Sequence, residues 1–408
     1  MNLPFALKSV FIFASLVFIT SLMAGCGTEY DGYMYASNPN VAEYSGFINP
    51  LGIAVDGNGN IWATNSGAYG SLNGTTVTEL VKSTGYSSRS FGGMNGPVGV
   101  AIDKSGNVWI TNVVGNSVIE LIAPGFSSSN TFSGTYFDGP EGIAADGSGN
   151  IWITNSAPTP SGPAGTTVTE ILAGSNSCTS SACIVFSGTS YFQAPQGIAA
   201  DNSGNIWVAN AGGTINGVSY AGGITEITNG AASCTNVTCL VFSNPPSLAG
   251  AVGIAVDGSG NVWASLGINY ATNPATSGIS VAEIVAGAGS CTPASCLIFS
   301  DPFYFNGPFG IAADGAGNVW VASGTPTDSG PIQMITEIKA GAKSCAPSTC
   351  TLFAGPSYLL NDPNLIAIDG SGNVWITNPG YPGSVGSITG TTVIELKGMA
   401  SPVATPIL

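Results

Sequence analysis

Gly253-Ile254-Ala255-Val256-Asp257-Gly258-Ser259-Gly260-Asn261-Val262-Trp263 is the stretch on which the fold turns. It returns almost unchanged as Gly142-Ile143-Ala144-Ala145-Asp146-Gly147-Ser148-Gly149-Asn150-Ile151-Trp152, and in variant form around Trp62, Trp109, Trp207, Trp320 and Trp375. An aspartate precedes each tryptophan by six residues (Asp56, Asp103, Asp146, Asp201, Asp257, Asp314, Asp369). A run ending in Glu-Leu or Glu-Ile follows each, at Glu79, Glu120, Glu170, Glu226, Glu283, Glu337 and Glu395. Within a unit, Gly-Ile-Ala-Val-Asp reads as one short strand. Gly-Ser-Gly-Asn reads as a tight hairpin turn, because Gly and Asn tolerate the positive φ such turns demand. Asn-Val-Trp begins a second strand, Thr-Val-Thr-Glu-Leu a third, and Cys239-Leu240-Val241-Phe242-Ser243 shows the fourth. Four short antiparallel strands in each of seven units predict an all-β, seven-bladed β-propeller. A solenoid would need shorter units and atypical capping ends. The last unit runs out before a fourth strand, and Val41-Ala42-Glu43-Tyr44-Ser45-Gly46 looks like the missing one. The expected ring therefore closes with one N-terminal and three C-terminal strands, leaving no open edge where it joins.

Composition narrows the function classes. Of 408 residues only 7% are charged, with seven Lys/Arg against 22 Asp/Glu and no histidine. Ordinary usage is about 25% charged. A hydrophobic fraction of 44% supplies a core and excludes a disordered acidic chain. A net charge of −15 argues against nucleic acid, which needs a basic footprint. The repeated Asp and Glu account for 14 of the 22 acids, so the acidity is mostly repeat scaffold. Without histidine, the commonest general base and the commonest metal ligand are both missing.

Residues 1–25 read as an export signal, with Lys8 before an apolar run from Val10 to Met23. That run is shorter than the roughly 20 residues a spanning helix needs. Leu22-Met23-Ala24-Gly25-Cys26 resembles a bacterial lipobox, with Met23 where Leu is usual; the alternatives are an ordinary signal peptide or a membrane anchor. The resemblance implies that Cys26 is lipidated and that residues 26–40 tether a propeller spanning 41–397, with a tail at 398–408. Gly27, not Asp, follows Cys26, which favours the outer membrane or cell surface. A monomer held to the membrane by lipid is the expectation.

The pattern Pro-x-Gly-Ile-Ala-x-Asp-x-x-Gly-Asn-(Ile/Val)-Trp over nearly all of residues 40–397 resembles the NHL-repeat and virginiamycin-B-lyase-like (streptogramin-lyase-like) propellers. Such propellers host enzymes, binding modules and adaptors alike. The lyase family is understood to use a histidine base with a metal, and a chain without histidine has no residue to receive that role. The reading favoured is a binding module for an extracellular glycan, peptide or protein, with no cofactor. The alternative is a metal-assisted lyase or lactonase, with no catalytic residue assignable.

Eight cysteines form four C-x4-C pairs: Cys178 with Cys183, Cys234 with Cys239, Cys291 with Cys296, and Cys345 with Cys350. Each pair lies between a third and a fourth strand. In an exported chain these read as local disulfides clipping outer strands. A shared metal site would need distant units to converge. Asp-Gly-Ser-Gly-Asn lacks the alternating ligands of a calcium loop and reads as a structural turn.

Function is expected where the units differ. The loops between second and third strands are long except at Val113–Ser117, low in charge, and carry Tyr69, Tyr220, Tyr270 and Tyr381. They share the channel mouth with the position inside Pro-x-Gly, occupied by Leu51, Val98, Glu141, Gln196, Val252, Phe309 and Asn364. Glu141, Gln196, Asn112, Asn155, Asn210, Tyr220 and Tyr270 are the candidate ligand-binding residues, with Asn65 and Asn378 in the same series and breaks at Ser265 and Ser323. A Glu among several Asn could also hold a divalent cation.

Overall fold

The computed structural model describes residues 29–30, 33–34, 41–68, 71–156, 165–215, 217–243, 248–269, 276–324, 333–380 and 391–404. The signal, Cys26, Tyr69, Tyr270 and Tyr381 lie outside the described residues, as does most of the tether. The strands assemble into seven four-stranded antiparallel sheets, the seven-bladed propeller expected from the repeats. In blade three the strands are Pro140–Ala145, Ile151–Asn155, Thr167–Ile171 and Cys183–Ser187, in that order from the axis outward. Blade seven is built from Ile366–Ile368, Val374–Asn378, Thr392–Leu396 and the N-terminal strand Val41–Tyr44. Val41 pairs with Leu396 and Tyr44 with Val393, so the two ends of the chain close one sheet. The tail adds a second closure: Ser401 N–H donates to Asp314 of blade six, and Ala400 N–H to Gly372 of blade seven.

The repeated aspartate organises each blade. In blade five, Asp257 Oδ1 accepts the backbone N–H groups of Ser259 and Asn261, and Oδ2 accepts Asn261 Nδ2 and Trp263 Nε1. Asn261 Oδ1 in turn accepts the N–H of Ala286, just past the third strand. The arrangement recurs in all seven blades, with indole-to-carboxylate distances from 3.0 to 3.4 Å. The carboxylate caps a turn and holds the tryptophan, which agrees with a structural turn and leaves no lone pair pointed at a cation. Each indole packs on an aromatic ring of its outer strand: Phe91, Phe132, Phe186, Phe242, Phe299 and Phe353, and Tyr44 in blade seven. Trp263 also packs among Phe305, Ile311 and Val319 of blade six, so it fills the wedge between neighbouring blades.

Near the axis the blades touch through backbone. Thr64, Thr111, Thr154, Ser265 and Thr377 each donate a hydroxyl to a carbonyl on the next blade's inner strand, namely Val98, Glu141, Gln196, Phe309 and Leu51. A Cβ on Gly52, Gly99, Gly142, Gly197, Gly253 or Gly310 would lie 2.2, 2.3, 2.0, 2.6, 2.1 or 2.3 Å from such a carbonyl oxygen. Only glycine permits that approach.

At the rim, all four C-x4-C pairs are disulfides, as their spacing predicts. Cys178 is bonded to Cys183, Cys234 to Cys239, Cys291 to Cys296, and Cys345 to Cys350, with Cα atoms 5.1–5.2 Å apart. Cys183, Cys239, Cys296 and Cys350 each open the outer strand of blades three to six, so every clip fastens a turn to the start of that strand. Cys183, Cys239 and Cys350 are buried, and Cys296 is half-buried.

Two outcomes follow. Gly253→Ala forces backbone apart at the axis and is expected to lower stability by about 2–4 kcal/mol, read as a drop in thermal midpoint. Second, burial, reinforced by the nearby charge of Asp146, pushes Glu170 up to about 7. The folded state then holds this proton at pH values where the unfolded chain has released it, so stability falls as pH rises from about 4.5 through about 7. Glu170→Gln should flatten this decline, leaving the variant more stable than the parent at pH 8, by on the order of 2–3 kcal/mol.

Candidate functional site

The register fixes which end of the channel carries the variable residues. Pro140 pairs with Asn155, so inner strands begin where second strands end. Second-to-third loops and outer-to-inner connections therefore share one face, the mouth, while the disulfide-bearing turns lie on the other. Glu141 and Gln196 stand at equivalent places on adjacent inner strands, and those backbones touch: the missing Cβ of Gly142 would sit 2.0 Å from the Gln196 carbonyl oxygen. Burial pushes the Glu141 carboxyl above its ordinary pKa, and a hydrogen bond with Ser156 opposes that shift. The Ser156 hydroxyl also reaches the Pro195 carbonyl and has one proton to give. Gln196 Oε1 is buried and, among the described residues, has no hydrogen-bond partner. Such an atom costs on the order of 1–3 kcal/mol unless a donor reaches it. Beside Gln196, toward blades five and six, the surface turns apolar, with Val252, Ala211 and Ala194 packed together and Phe309 against them.

The asparagines do something different from what the sequence suggested. Asn155 is fully buried; its Oδ1 accepts the Asp138 N–H, and its Nδ2 donates to Thr167 and Thr169. Asn112 grips the Asn95 N–H and Ser117, and Asn210 the Gln193 N–H and Thr225. Each clamps an outer-to-inner connection onto its own blade, with its amide committed there and none offered to a ligand. The unit-five reading also shifts by one residue: Leu266, paired with Ala251, takes the asparagine place, while Ser265 takes that of the stitching threonine. Tyr220 ends a small hairpin, Gly213–Ile215 with Val218–Tyr220, above blade four. The candidates thus split, with Glu141 and Gln196 brought together, the asparagines behind them and Tyr220 on a separate wall.

Residues not singled out in the sequence complete the mouth. A cleft of about 330 Å³ on blade three is lined by Thr135, Tyr136, Asp138, Thr166, Thr189 and Ile215, among others. Asp138 lines it three residues before Glu141, while Glu141 and Gln196 themselves are not in the lining. Asp362, in the connection before blade seven, is pushed up to about 6 by burial. The signal for Tyr136 was present in Gly134-Thr135-Tyr136-Phe137-Asp138-Gly139-Pro140, an outer-to-inner connection that the repeat pattern made easy to pass over. Charge is divided between the faces. Lys82, Lys104, Lys339, Lys343 and Lys397 follow third strands or sit in turns opposite the mouth, and Arg89 pairs with Glu79 on an outer strand. Among the described residues the mouth carries acids and no cation, and no group of three or more His, Cys, Asp or Glu could hold a metal ion.

No family model matches the sequence, and no curated protein matches it. Solved structures do. A streptogramin B lyase structure superposes with a TM-score of 0.62 at 16% identity, covering 87% of this chain and 96% of that one. Virginiamycin B lyase from Staphylococcus aureus gives 0.61 at 15% identity over 88% of this chain and 99% of that one. The extracellular domain of a putative hybrid two-component system, BT3049, from B. thetaiotaomicron gives 0.57 at 12% identity, with 89% of this chain and 42% of that one covered. At these identities the likeness is one of fold. The metal and histidine that the lyase resemblance implies do not fit the donor groups at this mouth.

Asn155→Ala strips the acceptor from the Asp138 N–H and removes the Nδ2 donor to half-buried Thr167 and buried Thr169. It is expected to cost about 1–3 kcal/mol in thermal or denaturant unfolding, with little change in secondary structure.

Proposed function

We propose that this chain is an exported propeller lipoprotein, lipidated at Cys26 and held at the outer membrane or cell surface, whose mouth binds an extracellular glycan, peptide or protein. The observation that carries the reading is the presence on blades three and four of the unit-specific polar residues Glu141 and Gln196, the Gln196 acceptor without a donor among the described residues, and a cleft on the same face. Sites of this kind combine a preformed concavity with a few convergent polar groups. The strand Val41–Tyr44 supports the anchoring: Val41 pairs with Leu396, at the end of its strand remote from the mouth. A tether from Cys26 therefore reaches the ring on the lysine-bearing side and leaves the mouth free. The alternative, a lyase or lactonase, has one observation in its favour, the raised pKa of Glu141, and lacks a fitting metal-ligand set.

One experiment separates these. The full chain is expected to partition with membranes and to label with fatty acid, and Cys26→Ser to abolish both. In detergent it should retain ligands from glycan arrays or peptide libraries without added metal, with Gln196→Ala weakening retention about tenfold. Release of lactone- or lyase-type products, lost in Glu141→Gln, would instead establish the enzyme.

A further inference from the structure

We propose that the blade-three cleft is a subsite for an uncharged saccharide, with Tyr136 as the platform for a sugar ring and Thr135, Thr166 and Thr189 as its hydroxyl partners. The inference rests on the reading of the mouth as a binding face and narrows its ligand.

The argument begins with which polar groups in the cleft are still free. Much of the backbone there is already committed. Gly165 N–H donates to Ser156 O, and the Gly165 and Thr166 carbonyls accept from Ala194 and Gly188. Thr167 is paired on both sides, with Asn155 and with Ser187. The Asp138 N–H is held by Asn155, and the Tyr136 carbonyl accepts from Thr169. A peptide recognised through its main chain needs an open row of N–H and C=O groups; the Gly165–Thr167 wall presents none, and a main-chain reader would be left with Val185 on the outermost strand, which pairs only on its inner side.

Side chains remain. No hydrogen bond within the described residues engages the hydroxyls of Thr135, Thr166 and Thr189 or the Tyr136 phenol. Hydroxyls both donate and accept, which matches the hydroxyls of a sugar one for one. Tyr136 is half-buried, and its ring offers an apolar surface suited to the C–H face of a pyranose. Ile215, buried at 3% exposure, forms the facing apolar wall. Charge then selects among sugars. Asp138 is the one ionisable acid in the lining, and no lysine or arginine lies on the mouth among the described residues. A uronate, sialate or sulfated sugar would enter with no counter-charge and against a carboxylate, whereas a neutral sugar meets no such penalty. A volume of about 330 Å³ lies at the lower end for small-molecule sites, about 300–1,000 Å³.

The test is the full chain in detergent on an array carrying neutral hexose and N-acetylhexosamine oligomers beside uronate and sulfated ones, with a random peptide library in parallel. Binding to neutral glycans is expected, weakened at least about tenfold by Tyr136→Ala and severalfold by Thr189→Val, with the thermal midpoint of Thr189→Val unchanged and that of Tyr136→Ala lowered because its ring also packs on the blade-three core. Tyr136→Phe, which keeps the ring, should retain most of the binding. Capture of acidic glycans alone, or neutral binding indifferent to both Tyr136→Ala and Thr189→Val, overturns the subsite. Capture of peptides alone overturns it while leaving the binding-module reading intact. Retention of no probe of either kind counts against both.

Discussion

The close approach of neighbouring inner strands is the constraint from which the rest of the molecule follows. Where a Cβ would stand 2.0–2.6 Å from the next blade's carbonyl, six units place glycine, and five threonine or serine hydroxyls stitch the same carbonyls across the gap. Blade seven departs, with Leu365 in the glycine place, yet its Thr377 still reaches Leu51 and joins the last blade to the first. The ring is narrow because backbone, not side chain, meets at the axis. Farther out the blades diverge, and the growing wedge is filled by tryptophan and its outer-strand partner ring. Size increases with radius, which is why a large residue marks all seven units and a glycine near the axis marks six of them.

The chemistry of the scaffold is self-contained in a corresponding way. Each buried aspartate commits its lone pairs to two backbone amides, an asparagine and an indole. Each second-strand asparagine is likewise engaged where it occurs. Residues that repeat are structural, and most of their polar groups are engaged within the blade, with Glu283 Oε2 a buried exception. What distinguishes blades three and four is a departure from this pattern: the unit-specific pair Glu141 and Gln196, the latter with an amide oxygen that has no donor among the described residues, and a row of hydroxyls with no internal partner.

Much of this was legible in the residues. The seven tryptophans counted the blades, Val41–Tyr44 completed the last sheet, and the cysteine spacing marked the clips from Cys178 with Cys183 through Cys345 with Cys350, because these depend on local pattern. Glu141 and Gln196 stood out as departures from the repeat, and the fold places them at equivalent positions on adjacent inner strands. The asparagines misled, because their position at a strand end is visible in sequence while the direction of their amides is set by the connection 17 residues earlier. Tyr136 and Thr189 escaped notice for a related reason. They lie in connections from different units, and only the curvature of the ring brings them to one cleft. Leu266 shows the limit of spacing arguments, since one residue of register exchanges a structural serine for a missing asparagine.

The central claim is that a rigid, repetitive ring confines recognition to one sector of its mouth. Hydrogen–deuterium exchange of the full chain, with and without a saturating neutral oligosaccharide that it binds, tests this most directly. Added protection should be confined to the connections around Thr135–Gly139, Gly165–Thr167 and Gly188–Ala194 and to the Gly213–Tyr220 hairpin, with the disulfide-bearing face unchanged. Protection centred on the opposite face, or spread evenly over all seven blades, would contradict it.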